Sequence, residues 1–179
     1  MLLLALDPSL SIVGYSIYYV DKNECSLLTF GKFKLDHKLE YFDRILTIEG
    51  YLNKILNSNR EITHLIVEDI QYQKKIGVAV YKKLSFLQFF LRYYSLCNNL
   101  ESEFVQVNSW RSAVGHFCDL SKNNKIIWNK YVNSQINHVS ELDNNVSDAI
   151  GIGLWKCLHS PYKLSSSESF QTIINKKQL

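Results

Sequence analysis

Three carboxylates in this chain stand where an ordinary surface acid would not: Asp7, Glu68 and Asp148. Asp7 closes the run Leu2-Leu3-Leu4-Ala5-Leu6, which reads as a buried strand, and Pro8-Ser9 stops the ladder because proline has no N–H to donate. Glu68 closes His64-Leu65-Ile66-Val67 in the same way, and Asp148 lies where Asn144-Asn145-Val146-Ser147 leads into an apolar helix beginning Ala149-Ile150-Gly151. A charge at the tip of a buried strand is costly unless something pairs with it. Neighbouring strand tips and a helix start would bring all three within reach of one divalent ion. Hard oxygen ligands of this kind suit Mg²⁺. Two such ions roughly 4 Å apart activate a water and stabilise a leaving alkoxide in phosphodiester hydrolysis, with no histidine or cysteine nucleophile.

Each acid taken alone also suits a structural role. Asp7 before proline makes a turn, Glu68 pairs with a lysine, and Asp148 serves the first turn of its helix. Their joint occurrence at the ends of apolar runs favours a site. Asp69, adjacent to Glu68 in a strand, faces the opposite side and is not expected among the ligands.

The elements that must position these acids follow from periodicity. Residues 1 to 7, 12 to 20 and 25 to 35 read as a three-stranded meander. Asp36 then looks like a cap for a helix to about Asn57, with Phe42, Ile45, Leu46, Leu52, Ile55 and Leu56 on one side. A fourth strand spans 63 to 68, a long helix 78 to 97, a fifth strand 103 to 107, and two helices about 121 to 138 and 145 to 159. The order βββαβαβαα predicts an α/β fold, a mixed sheet with helices on both faces. The expected domain covers 1–160, and 161–179, with serines at 165, 166 and 167 and little apolar patterning, is expected to be a flexible C-terminal tail.

Composition bounds the reading. At 179 residues, 46% hydrophobic and 21% charged, the chain is one globular domain. No apolar run approaches the roughly 20 residues that span a bilayer, which predicts no membrane association and a cytoplasmic protein, in the host cytoplasm if the source is a phage or virus. The four cysteines, 25, 97, 118 and 157, form no CxxC pair and read as reduced. His116-Phe117-Cys118 and Cys157-Leu158-His159 lack zinc-ligand spacing. The net charge of +3 is uneven: residues 74 to 130 carry nine Lys or Arg against three Asp or Glu, leaving 11 basic and 14 acidic residues elsewhere. A basic middle suits a polyanion held beside a metal site, and equally a solvated face. Fifteen Asn and four Ala point to an AT-rich genome, and the compact size suits a phage or virus.

The helix at 78–97 carries two apolar stripes: Val80, Leu84, Leu87, Leu91 and Tyr94, and, centred roughly 130° away, Phe86, Phe89, Phe90 and Tyr93. One core contact buries only one of them. Either the sheet and another helix bury both, or the aromatic stripe is the two-fold contact of a homodimer, which is the favoured expectation.

The stretch Leu4-Ala5-Leu6-Asp7-Pro8-Ser9-Leu10-Ser11-Ile12-Val13-Gly14-Tyr15-Ser16-Ile17 resembles the opening strand-turn-strand of RuvC-type Holliday-junction resolvases, of the ribonuclease H-like superfamily. The resemblance continues, in order, at Ile66 to Ile70, Lys82-Lys83-Leu84, Val105 to Arg111, Lys125 with its helix, and Asp148-Ala149-Ile150, so it spans about residues 1 to 159. It implies a five-stranded ribonuclease H-like mixed sheet, a homodimer, and Mg²⁺-dependent cleavage of four-way DNA junctions by paired symmetric nicks. Two ions would serve each active site, with Mn²⁺ a substitute.

By motif position Asp7, Glu68 and Asp148 fall on the family's metal-binding acids. Its fourth ligand position, three residues before the last acid, is Asn145 here. That is a departure, because many relatives carry Asp there. Asn145 and Asp148 are i and i+3 on a helix, and an amide oxygen can ligate a hard cation; Asp143 is held in reserve. The match makes Lys125 a catalytic candidate that stabilises charge on the scissile phosphate. It shares a helix face with Lys122 and Asn129, while Ile127, Trp128, Tyr131 and Val132 face inward. Arg111 is expected on a phosphate, and Tyr72 with Lys74 and Lys75 occupies the region where relatives stack an aromatic on a junction base.

Rival readings are a less selective nuclease cutting forks, flaps or RNA, an actin-like ATPase or sugar kinase, and a DNA-binding protein that has lost catalysis. The kinase class needs two such lobes, and no GxxxxGK[ST] is present for a P-loop enzyme.

Overall fold

The computed structural model describes residues 1–22, 24–71, 77–121, 124–136, 141–159 and 169–175. Five strands, β1 (Leu2–Asp7), β2 (Ile12–Asp21), β3 (Glu24–Lys34), β4 (Ile62–Glu68) and β5 (Glu101–Val105), form one sheet in the order β3-β2-β1-β4-β5. The β3-β2-β1 portion is the antiparallel meander, whereas β4 and β5 add in parallel to β1. The sheet is therefore mixed and five-stranded, as expected. Its helices are α1 (Tyr41–Ser58), α2 (Val78–Cys97), α3 (Val107–Phe117), α4 (Lys125–Gln135), α5 (Asn144–His159) and α6 (Phe170–Asn175).

Strand alternation splits the core into two layers. Leu4 and Leu6 of β1 and Leu65 and Val67 of β4 pack with Ile45, Ile48 and Leu52 of α1 and Leu87 and Leu91 of α2. Leu3 and Ala5 of β1 and Ile66 of β4 point the other way, into a cluster with α3, α4, α5 and α6. Asp7 and Glu68 continue the second alternation, so both project on the α5 side. Asp69 projects oppositely and accepts a hydrogen bond from Gln88 of α2.

Helix α5 is buried nearly all round from Val146 to Leu154, as a helix sandwiched between a sheet and other helices must be. Ser16 and Tyr18 of β2 reach up and donate their hydroxyls to the backbone oxygens of Ala149 and Ile150, each at 2.8 Å. Those bonds fix the register of α5 on the sheet, and with it the place of Asp148.

Several sequence expectations are corrected. Residues 107–117 form α3, with Trp110 and Val114 buried one helical turn apart, where only a basic residue past a strand was expected. The fifth strand ends at Val105, two residues early, because Val107 opens that helix. Asp36 does not cap α1; it takes the backbone N–H of Lys38 in a turn, and the helix starts at Tyr41. Phe42 and Leu46 face outwards, 63% and 62% exposed, beside Phe86, because Ile45, Ile48 and Leu52 fill the sheet-facing stripe.

Val80 of the expected inner stripe of α2 is likewise exposed. Asn129 is buried rather than outward, its amide donating to the Leu142 backbone oxygen and to Ser147 Oγ. Within 161–179, Phe170–Asn175 form a helix whose Phe170 and Ile173 enter the core, Phe170 packing on Trp128 and Tyr131. Three apolar residues within one turn and a half, Phe170, Ile173 and Ile174, are too short a pattern to read as a helix from sequence. Among the described residues no helix is long and apolar enough to cross a membrane.

Candidate active site

Asp7 is the last residue of β1 and pairs with Gly14 of β2; its parallel neighbour strand puts Val67 beside Leu6 and so Glu68 beside Asp7. The turn out of β1 is held by Ser9, whose Oγ accepts the Ile12 N–H at 3.0 Å and donates to the Ile12 carbonyl at 2.6 Å. Gly14 lets the first turn of α5 settle on the strand, because a β-carbon there would stand 1.9 Å from the Asn145 backbone oxygen. Asp148 follows one helical turn later, 2% exposed, over the ends of β1 and β4.

Two cations and an indole face these acids. Arg111 of α3 donates to Asp148 Oδ2 at 3.0 Å, and the Lys125 ammonium at the start of α4 lies 3.3 Å from the same oxygen. Trp110 donates its indole N–H to Glu68 Oε2 at 2.9 Å. Among the described residues, the remaining oxygen of Asp148, Oδ1, is buried with no hydrogen-bond partner, and the Asp7 carboxylate accepts none.

The electrostatics follow from that inventory. Burial pushes the Asp7 carboxyl well above the ordinary carboxylate range, and the neighbouring Glu68 and Asp148 charges push it further than Lys125 and Arg111 pull it back. Glu68 is raised by burial, against the Trp110 hydrogen bond. Asp148 is raised too, because burial outweighs both of its cations. Three desolvated carboxylates against two cations leave a site that is short of positive charge.

Asp143 is differently placed. It accepts the Asn145 N–H at 3.0 Å as the cap of α5 and pairs with Lys32 at 3.1 Å, contacts that hold its carboxyl low although burial opposes them. Asn145 is half-buried on the Gly14 contact, on the same helix face as Asp148. A polar cleft of about 410 Å³, lined in part by Lys32, Lys125, Asn129, Asp143, Asn144 and Asn145, opens beside this turn.

Of the residues singled out from sequence, Asp7, Glu68, Asp148, Lys125 and Arg111 thus meet at one place. Tyr72, Lys74, Lys75 and Lys122 lie outside the described residues. The acids are neighbours, but among the described residues no three of them are close enough as the side chains stand to grip one ion; Asp148 pairs with Arg111 and Lys125. The donor chemistry nonetheless fits a hard cation: every candidate atom is a carboxylate or amide oxygen, and one is buried without a partner among the described residues. Sequence reasoning missed Trp110 as a partner of Glu68 and Asn129 as a buried brace of α5. An indole placed one residue before a basic candidate was the one available signal.

No family model matches the chain. In sequence it is 29% identical over 80 residues to the crossover junction endodeoxyribonuclease RuvC of Halothermothrix orenii, a match covering 45% of this chain and 48% of that protein. The RuvC of Ruminiclostridium cellulolyticum is 25% identical over 80 residues with the same coverage. The chain thus spans about half the length of the curated relatives it matches. In structure it resembles Thermus thermophilus RuvC in complex with a Holliday junction substrate, with a TM-score of 0.70 at 13% identity over 91% of this chain and 99% of that one. The Fowlpox virus resolvase in complex with Holliday junction DNA aligns with a TM-score of 0.56 at 14% identity, over 89% of this chain and 98% of that one. The chain therefore has the ribonuclease H-like fold of these resolvases, and the resemblance to RuvC-type proteins first met in its motifs extends to its whole architecture.

Proposed function

We propose that this chain is a metal-dependent endonuclease that resolves four-way DNA junctions by paired symmetric nicks, one made by each subunit of a homodimer. The observation that carries the reading is the meeting of Asp7, Glu68 and Asp148 on one sheet face with Lys125 and Arg111, around a buried carboxylate oxygen that none of the described residues satisfies. Asp7, Glu68, Asp148 and Asn145 would hold two Mg²⁺ ions, Mn²⁺ serving in their place. When bound, such ions supply an activated water and charge stabilisation at the leaving oxygen.

The chain's own residues supply the rest. Lys125, 46% exposed at its side chain, points its ammonium at the acids from a helix start and is positioned to take a scissile phosphate oxygen. Arg111 offers a second cation beside it, and its guanidinium is planar and suited to phosphate. Burial of the acids excludes bulk water and strengthens each of these interactions. Branched DNA is the substrate suggested by the junction-bound relatives, and the exposed Phe42, Leu46, Phe86, Phe89 and Tyr93 form one apolar face across α1 and α2 that suits a second copy of the chain.

A second reading has one observation in its favour. Arg111 and Lys125 already pair with Asp148, and Asn145 stands where many relatives carry an acid, as in a junction-binding protein without catalysis. One experiment separates the readings: mapping of cleavage on a synthetic four-way junction, a replication fork and a linear duplex in Mg²⁺, with wild type and Asp7→Asn. Symmetric incision of the junction alone supports the resolvase, indiscriminate cutting a general nuclease, and binding without cutting the inactive protein.

A further inference from the structure

Trp110 is fully buried, and its one polar atom ends on Glu68. An indole N–H donates and cannot accept, so it binds the carboxylate through Oε2 and leaves Oε1 outside the bond. The ring itself is held on several sides. Trp128 packs edge-on with the centroids 6.2 Å apart, and the Arg111 guanidinium lies 4.9 Å from the ring centre on the indole face. Gly151 of α5 makes the room, since a β-carbon there would come within 2.5 Å of the Trp110 ring and 3.1 Å of Trp128. Trp128 in turn donates its indole N–H at 2.6 Å to the backbone oxygen of Ser147, the residue before Asp148. Two touching indoles thereby tie the strand-end carboxylate and the peptide that carries the helix carboxylate into one rigid unit.

We infer that Trp110 is a positioning residue for divalent-cation binding: it holds Glu68 by Oε2 so that Oε1 is presented to the ion, while Trp128 fixes the backbone that carries Asp148. This rests on the metal-binding reading proposed above. The competing account is that the bond only satisfies a buried donor, as buried indoles generally require. The two differ in what they move. A donor that is merely satisfied affects folding, whereas one that orients a ligand affects metal affinity at unchanged fold.

The test is Trp110→Phe in the full chain, which keeps most of the ring volume and removes the N–H. Mg²⁺ and Mn²⁺ affinities are read by titration calorimetry, and nicking of a four-way junction is followed against Mg²⁺ concentration. The expected result is metal affinity weakened about 10–100-fold, with nicking restored at saturating metal, and no change in Trp155→Phe. Affinity within about twofold of wild type overturns the inference.

A second measurement covers a variant that does not fold. In wild type labelled with ¹⁵N-tryptophan, the chain's three indole N–H signals are followed during a Mg²⁺ titration. The Trp110 signal should move with the calorimetric midpoint, and a Trp110 signal that stays fixed while the protein takes up metal overturns the inference alone. A wild type that takes up no divalent cation overturns this inference together with the metal reading beneath it.

Discussion

The α-carbon of Gly14 lies under the backbone oxygen of Asn145, so close that a β-carbon at Gly14 would stand 1.9 Å from it. Gly14 is also the ladder partner of Asp7. One missing side chain therefore sets how near the helix bearing Asp148 comes to the strand bearing Asp7.

Gly14→Ala should lift the first turn of α5 from the sheet. Forced overpacking of this kind costs about 1–3 kcal/mol. The melting temperature should fall by at least about 2–4 °C, with a loss of nicking larger than the stability change explains. An alanine variant with wild-type turnover would mean that the contact does not set the site.

Asp7→Asn should abolish nicking, lowering turnover at least about 100-fold while junction binding survives, because a ligand to the ions is lost. Glu68→Gln and Asp148→Asn should do the same, each measured on a labelled four-way junction. Without metal, Asp7→Asn should melt higher than wild type, since the amide removes a charge that burial and its neighbours disfavour. Unchanged turnover in any of the three variants would remove that residue from the ligand set.

Metal-free stability should fall as pH rises above the ordinary carboxylate range. There the unfolded chain gives up protons that the folded Asp7, Glu68 and Asp148 retain, so the folded state binds more protons and the slope is negative until these groups ionise in turn. Mg²⁺ binds the deprotonated set, so its stabilising increment should grow with pH. At a hundredfold excess over Kd it should reach about 2.7 kcal/mol, or roughly 5–10 °C. Melting curves from about pH 5 to about pH 8, with and without Mg²⁺, measure both slopes.

Asp143→Ala and Asn145→Ala should part company. Asp143 caps α5, so its loss should cost about 0.5–2 kcal/mol of stability with metal affinity little changed. Asn145→Ala should weaken Mg²⁺ binding at near-constant melting temperature, as read by calorimetry. The opposite pattern would make Asp143 the fourth ligand.

Phe89→Asp, at a site 64% exposed, should give monomers by sedimentation and replace paired incision by single nicks. If the parent assembly persists, the subunit contact lies on another face.

Much of this was legible in the chain itself. The runs ending in Asp7 and Glu68 are local signals: apolar alternation defines a strand, and a charge at its end is conspicuous whatever the rest of the protein does. The same holds for α2, whose limits of 78 and 97 and whose exposed Phe86, Phe89 and Tyr93 follow from helical period, whereas Phe90, expected on the same outer stripe, packs against the sheet-side core instead. The helix at α3 was hidden because Gln106 offers no side-chain cap and the alternation of Val105 and Val107 continues the strand pattern into it.

What only the tertiary structure decided are the relations between distant segments. No local rule says that Trp110 should donate to Glu68, that Asn129 should turn inward to brace Ser147, or that Phe170 should return to pack on Trp128. Those are outcomes of fitting α3, α4 and α6 around a helix laid on the sheet. Residue types and periodicity determine which faces are buried, and the packing of one element on another determines which buried polar groups find each other.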